Sequence, residues 1–155
     1  MEIRPATPDD VSHVLPMVIA ISKLHQDWDA ARFKTIDHPE RMYDGWLCER
    51  ATDARSIFLV AEHESRLVGY VVCTIEKEIP IYWTPECGWV HDLWVEPQYR
   101  NEGLGRQMAM LVIEGFQRLG VTQIRLQTAA GNGAARTLFE SCGFRPSTVE
   151  MLMEL

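Results

Sequence analysis

The segment Leu93 to Arg106, L-W-V-E-P-Q-Y-R-N-E-G-L-G-R, holds the residues best suited to chemistry. A strand-like run (Leu93, Trp94, Val95) stops at Glu96-Pro97, the chain turns, and a helical pattern opens at two glycines, Gly103 and Gly105. The free N–H groups of a first helical turn point outward and carry partial positive charge. Glycine lets an anion come close to the backbone, so such a turn can cradle a phosphate. Arg100 and Arg106 flank it and can add charge-assisted hydrogen bonds. A Walker A loop requires Gly-Lys, and no Lys here follows a Gly. A Rossmann fingerprint requires a third glycine where Met108 stands, and the next strand ends near Gln127 without an acid for a ribose. On this segment alone, a phosphate cradle of another type and a plain glycine-rich turn both stay open.

The elements that must position this segment follow from periodicity. Glu2–Pro5 reads as a short strand. Thr7-Pro8-Asp9-Asp10 is a helix start, with a hydroxyl cap, Pro at the first position and acids in the first turn. Apolar residues recur at helical spacing from Val11 to about Lys23, and 24–37 shows no clear period. A second helix is expected after His38-Pro39, to about Glu49. Ser56–His63 and Leu67–Glu78 read as a β-hairpin across a short turn. After an irregular loop with two prolines, Glu86–Val95 is another strand. The helix opened by Gly103 and Gly105 closes at Gly120, Val121–Thr128 is a strand, and a short helix runs from Gly131-Asn132-Gly133 to about Ser141. Thr148–Leu155 is expected as a last strand. The order β-α-α-β-β-β-α-β-α-β implies a mixed α/β fold with one sheet and helices on its faces.

Composition narrows the partners. The chain has 155 residues, enough for one domain with a real core. Its formal charge is −7, which argues against nucleic acid and against an anionic membrane surface as partners. No apolar run approaches the roughly 18 residues of a membrane span. Cys48, Cys73, Cys87 and Cys142 lie far apart, and no H-E-x-x-H occurs, so no metal is expected. Scattered thiols and the lack of a secretory signal pattern suit a reducing, cytoplasmic setting.

A second motif gives the first its context. Arg100-x-x-Gly103-x-Gly105, preceded by Leu93-x-Val95-x-Pro97, resembles the acetyl-CoA signature of the GNAT superfamily of N-acetyltransferases. Asn132-x-x-Ala135-x-x-Leu138-Phe139-Glu140-x-x-Gly143-Phe144 resembles that family's second signature. The resemblance covers essentially the whole chain in element order. It implies a mostly antiparallel central sheet with a splayed central strand pair and helices on both faces. It also implies acetyl-CoA as co-substrate. The pyrophosphate would sit on the backbone amides of Asn101, Glu102, Gly103, Leu104, Gly105 and Arg106, with Arg100 beside them. Backbone groups of Leu93, Trp94 and Val95 would bond the pantetheine arm like an added strand. Asn132 would also bond that arm, and Ala135 and Phe139 would line the thioester channel.

The implied reaction is direct attack of an amine on the acetyl thioester. An alkyl ammonium, with a pKa of about 10.4, must first lose a proton. A carboxylate or imidazole on the central strand can take it, directly or through water. Glu86, His91 and Asp92 are the candidates. His91 and Asp92 are consecutive on a strand, so they are expected to face opposite sides unless a bulge intervenes. Two positions depart from the family pattern. His91 stands where many relatives carry an acid, and Phe139 where relatives often carry a Tyr that protonates the leaving thiolate. On the acceptor side, His25, Asp27 and Trp28, with Tyr82 and Trp83, offer carboxylate and aromatic surface suited to a cationic amine. Residues 1–85 carry 9 basic and 14 acidic residues, net −5, and residues 86–155 carry 6 and 8, net −2. The resulting expectation is an N-acetyltransferase for a primary amine of a small molecule or peptide. An acyl-CoA-binding module without turnover is the alternative, motivated by Phe139 and by the missing acid at position 91. The apolar terminal strand from Val149 to Leu155 suits pairing in a homodimer.

Overall fold

The computed structural model describes residues 1–155. The elements run β1 (Glu2–Pro5), α1 (Val11–Trp28), α2 (Ala30–Phe33), α3 (Glu40–Thr52), β2 (Ile57–His63), β3 (Arg66–Lys77), β4 (Glu86–Val95), α4 (Leu104–Arg118), β5 (Ile124–Leu126) and α5 (Gly133–Ser141). The five strands form one sheet in sequence order. Every neighbouring pair is antiparallel except β4–β5, which is parallel. No helix is long and apolar enough to cross a membrane.

Each face of the sheet carries its own core. Val11, Val14, Val18 and Ile21 of α1 recur on one side of that helix. With Leu47 of α3 they cover Phe58, Val60, Tyr70, Val72 and Trp94. On the opposite face, Leu104, Met108, Val112 and Phe116 of α4 cover Ile57, Val71, Cys73, Val90 and Val95. The entry to α1 is held electrostatically. Asp10 accepts from the Thr7 amide and hydroxyl at 2.8 and 2.9 Å, and from both terminal nitrogens of Arg4 at 2.8 and 2.9 Å. Arg4 also reaches Glu62, so one guanidinium ties β1, β2 and the first helix together. The Arg4 bonds hold the Asp10 carboxyl well below its ordinary range.

Four sequence expectations change. The first helix continues past Lys23 to Trp28, and the stretch after it holds the short α2. The strand expected over 121–128 shrinks to Ile124–Leu126. The last strand, 148–155, does not form: those residues have no regular structure, and Val149 and Met151 are 84 and 88 % exposed. Apolar alternation states which face a strand would bury, but a strand also needs a neighbour for its amides, and this segment has none. Finally, β4 carries a bulge. Val72 pairs with Asp92 and Cys73 with Val90, so His91 has no partner on β3.

Gly69 shows how closely β3 and β4 approach at Val95, four residues beyond that bulge. A Cβ added there would lie 2.8 Å from the Trp94 carbonyl oxygen. Gly69→Ala is therefore expected to cost about 1–3 kcal/mol of stability, measured by urea unfolding. An unchanged midpoint would show that the strands part freely there.

Candidate functional site

The site forms where β4 leaves β5. Their pairing runs from Gly88 opposite Ile124 to Val90 opposite Leu126 and ends there, while β4 continues to Val95. The β4 edge from His91 to Val95 therefore has no strand beside it. A small cleft of about 50 Å³ opens in the gap. His91, Asp92 and Leu93 form one wall, Gln127 and Thr128 the other, and Asn132, Ala135 and Phe139 close the end. Val90 and, from α1, Ile21 and His25 complete the lining.

The start of α4 lies beside this cleft. Gly103 caps the helix at φ +83°, and Asn101 is also left-handed at φ 65°. Glycine reaches that region without the steric cost of a side chain. The amides of Asn101 through Arg106 donate to no acceptor of the protein; the next one, Gln107, bonds the Gly103 carbonyl. Six consecutive free N–H groups at a helix start suit a polyanion such as a pyrophosphate. Arg100 is fixed next to them: its Nε donates to the Val95 carbonyl at 2.8 Å, and its guanidinium lies 4.5 Å from the Trp94 ring centroid. The Val95 carbonyl is thus already engaged within the protein. Gly105 faces Leu93 and Leu138. A Cβ added there would meet Leu138 at 3.4 Å, an ordinary contact, so the fold tolerates a side chain at this position. Across the gap, the Asn132 side-chain oxygen caps α5 by accepting from the Ala135 amide at 3.0 Å, which leaves its amide N–H groups free to donate.

The bulge changes the chemistry of β4. Without it, His91 and Asp92 would face opposite sides. With it, both face the α1–α3 side. The Asp92 carboxylate accepts from the Tyr70 hydroxyl at 3.3 Å, and the His91 ring meets Thr74 at 2.7 Å and Trp46 of α3 edge-on at 5.1 Å. Tyr70 and Thr74 lie on one face of β3, spaced by an even number of residues. Asp92 is 7 % exposed, and burial pushes its carboxyl up to about 6, against the bonds from Tyr70 and Tyr43. Burial lowers the His91 imidazole below its ordinary value, with Glu76 opposing and Arg50 reinforcing the shift. The His91 side chain is 29 % exposed, so solvent or an acceptor reaches it.

The remaining candidates are dispersed. Glu86 starts β4, about 16 Å along the strand from His91, and pairs with Arg55 at 2.7 Å. His25 lines the cleft, with Trp28 and Phe33 rings at 5.5 and 5.1 Å. Trp28 packs over Gly131. Asp27 faces solvent, paired with Lys23 at 3.3 Å. Tyr82 and Trp83, 55 and 100 % exposed, stand on the β3–β4 loop outside the cleft lining. Phe139 is buried against Phe144 at 5.4 Å. Tyr43, Trp46, Tyr70, Thr74 and Glu76 carry no local signal in the sequence, since only strand register and helix packing bring them to His91 and Asp92.

Comparison with known proteins places this geometry. Residues 21–144 match the family model described as the acetyltransferase (GNAT) family. The chain belongs to the GNAT family. It is an acyltransferase by that membership, with the mixed α/β fold the family's signatures imply. An uncharacterized N-acetyltransferase of Archaeoglobus fulgidus is 28 % identical over 145 residues, 94 % of this chain and 93 % of that one. A point mutant of the BH1408 protein from Bacillus halodurans superposes with a TM-score of 0.88 at 22 % identity, covering 100 % of this chain and 99 % of that one. A predicted acetyltransferase from Clostridium acetobutylicum, solved with acetyl-CoA, has a TM-score of 0.76 at 14 % identity, with 99 and 95 % coverage. In these GNAT terms, the parted β4–β5 pair is the splayed pair.

Asp92 gives a pH test of the site. Burial raises its folded-state pKa from the ordinary carboxyl value to about 6, so ionisation opposes folding. The opposition is absent below about pH 4 and complete above about pH 6. Asp92→Asn is expected to be more stable than the parent at pH 7.5, by at most about 3 kcal/mol. The difference should vanish near pH 4 in thermal melts. A gain independent of pH would contradict a buried, ionising Asp92.

Proposed function

We propose that this GNAT protein transfers the acetyl group of acetyl-CoA to a primary amine of a small molecule or peptide, with His91 as general base. The observation that carries this reading is the set of six free amides, Asn101 to Arg106, beside the open β4 edge and its paired His91 and Asp92. The amides suit the pyrophosphate, with Arg100 and Arg106 adding charge. The His91–Val95 backbone suits the pantetheine arm as an added strand, joined by the Asn132 amide, with Ala135 and Phe139 along the channel. When bound, acetyl-CoA supplies the carbonyl carbon to which the new C–N bond forms as its C–S bond breaks.

The chain's own residues handle the proton. An acceptor ammonium approaching His91 from the α1–α3 side enters the field of Asp92 and Glu76, whose negative charge favours a cation without direct contact. His91, kept neutral at neutral pH by its lowered pKa, accepts one proton from it. His25 and Trp28 give the acceptor an aromatic wall at the cleft mouth. Phe139 has no proton to give the departing thiolate, and a thiol pKa of about 8.5 lets it leave without one.

A screen of aminoglycosides, polyamines, amino acids and peptide N-termini, read by thiol release, is expected to find an accepted amine. Acetyl-CoA binding without thiol release across the panel would instead favour the binding-module reading that Phe139 suggests. His91→Ala should lower kcat by about 100-fold or more while leaving acetyl-CoA affinity unchanged in calorimetry. The acid limb of kcat/KM should fall below the ordinary imidazole range, because burial lowers His91. Arg106→Glu should fold normally, because Arg106 is exposed, yet lose acetyl-CoA affinity, since it reverses a charge that flanks the cradle. Parent-like affinity in that variant would refute the cradle.

A further inference from the structure

We propose that Thr74 and Glu76 form a positioning relay that fixes the tautomer of His91 and leaves Nδ1 as its proton acceptor; the catalytic half of this inference rests on the reading of His91 as base. Proton bookkeeping sets the tautomer. The Thr74 Oγ1 lies 2.5 Å from Glu76 Oε1 and 2.7 Å from His91 Nε2. A carboxylate oxygen can only accept, so the single hydroxyl proton of Thr74 is committed to Glu76. The contact with His91 must then run the other way, with Nε2–H donating to a lone pair of Thr74. A neutral imidazole carries one proton, so Nδ1 is left with its lone pair.

The surroundings keep the ring in that setting. Thr74 is 6 % exposed, so water does not compete freely for its hydroxyl. Trp46 meets the imidazole edge-on at 5.1 Å, and Arg50 lies 6.0 Å from the Trp46 ring. The bulge that gives His91 no β3 partner is also what turns its side chain toward Thr74. The charged and titratable groups facing His91 are Glu76 from β3, Arg50 from α3, Asp92 beside it on β4 and His25 on α1 across the cleft. Of these, Glu76 lies 3.8 Å from Nε2, close enough to stabilise the imidazolium formed when Nδ1 takes the acceptor's proton. The acceptor nitrogen loses two protons in all: Nδ1 takes one before attack and returns it to solvent, and the second goes to solvent as the amide forms and the C–S bond breaks. Thr74 and Glu76 touch neither reactant and act through His91.

Long-range ¹H–¹⁵N correlation on the labelled full chain reads the tautomer directly, without substrate. At a pH where His91 is neutral, the parent is expected to show Nε2 protonated and Nδ1 unprotonated, and Thr74→Ser should keep that pattern. In Glu76→Ala the Thr74 hydroxyl is released to donate to Nε2, so the population should move toward Nδ1–H. With the amine found by the acceptor screen, Glu76→Ala should lose kcat on the order of tenfold, with the acetyl-CoA KM unchanged and the acid limb of kcat/KM moved to lower pH. Thr74→Val should lose kcat similarly, and Thr74→Ser should retain it. An Nδ1-protonated parent, or a Glu76→Ala variant with parental tautomer and parental pH profile, overturns the relay. Absence of transfer to any amine overturns the enzymatic reading instead, and the spectra still decide the relay.

Discussion

The parting of β4 from β5 is the constraint on which the rest of this protein depends. A sheet normally satisfies both edges of an inner strand, and here β4 loses its β5 partner after Val90. The β5-facing side of His91 to Val95 is left without a strand, its Val95 carbonyl held by Arg100, between the starts of α4 and α5. The gap stays open because each side is fixed separately. Leu104, Met108 and Phe116 anchor α4 to the sheet, and the Asn132 cap sets α5. A polar edge and a row of free amides held open this way leave little ordering to do if acetyl-CoA binds there as proposed.

The bulge at His91 is the second device, and it depends on the first. A bulge in a fully paired strand disrupts two ladders, whereas here the β5 side is already open. Its effect is to put two titratable groups on one face with opposed environments. Asp92 is sealed under Tyr70 and Tyr43, and His91 is reachable from solvent. Groups placed so differently within one site take different roles. In the proposed mechanism Asp92 supplies negative charge next to the imidazole, at a cost in stability, and His91 exchanges the proton.

Legibility divided along the same line. The glycines of 100–106 announce a helix start locally, because a helix start requires little beyond its own residues, and the phosphate reading came only with the second signature. Asn132 stood out only through the second family signature; its capping of α5 is seen in the structure. The sheet and its two helical faces followed from apolar period. What could not be read was register. Nothing in the string Val90-His91-Asp92 announces a bulge, and without one the two side chains diverge. Thr74 and Glu76 resemble ordinary strand residues until β3 is laid beside β4. The terminal segment misled in the opposite direction: Val149, Met151 and Met153 alternate as a strand should, yet no edge receives them. Glu86 illustrates distance along a strand, since sharing β4 with His91 does not bring it to the cleft.

Backbone hydrogen exchange with and without acetyl-CoA tests the central claim most directly, because it reads the open edge and the cradle at once. Slowed exchange is predicted in two separate stretches, His91 to Val95 and Asn101 to Arg106, with β1 and β2 unchanged. Acetyl-CoA binding that leaves both stretches exchanging at their free rates would contradict it.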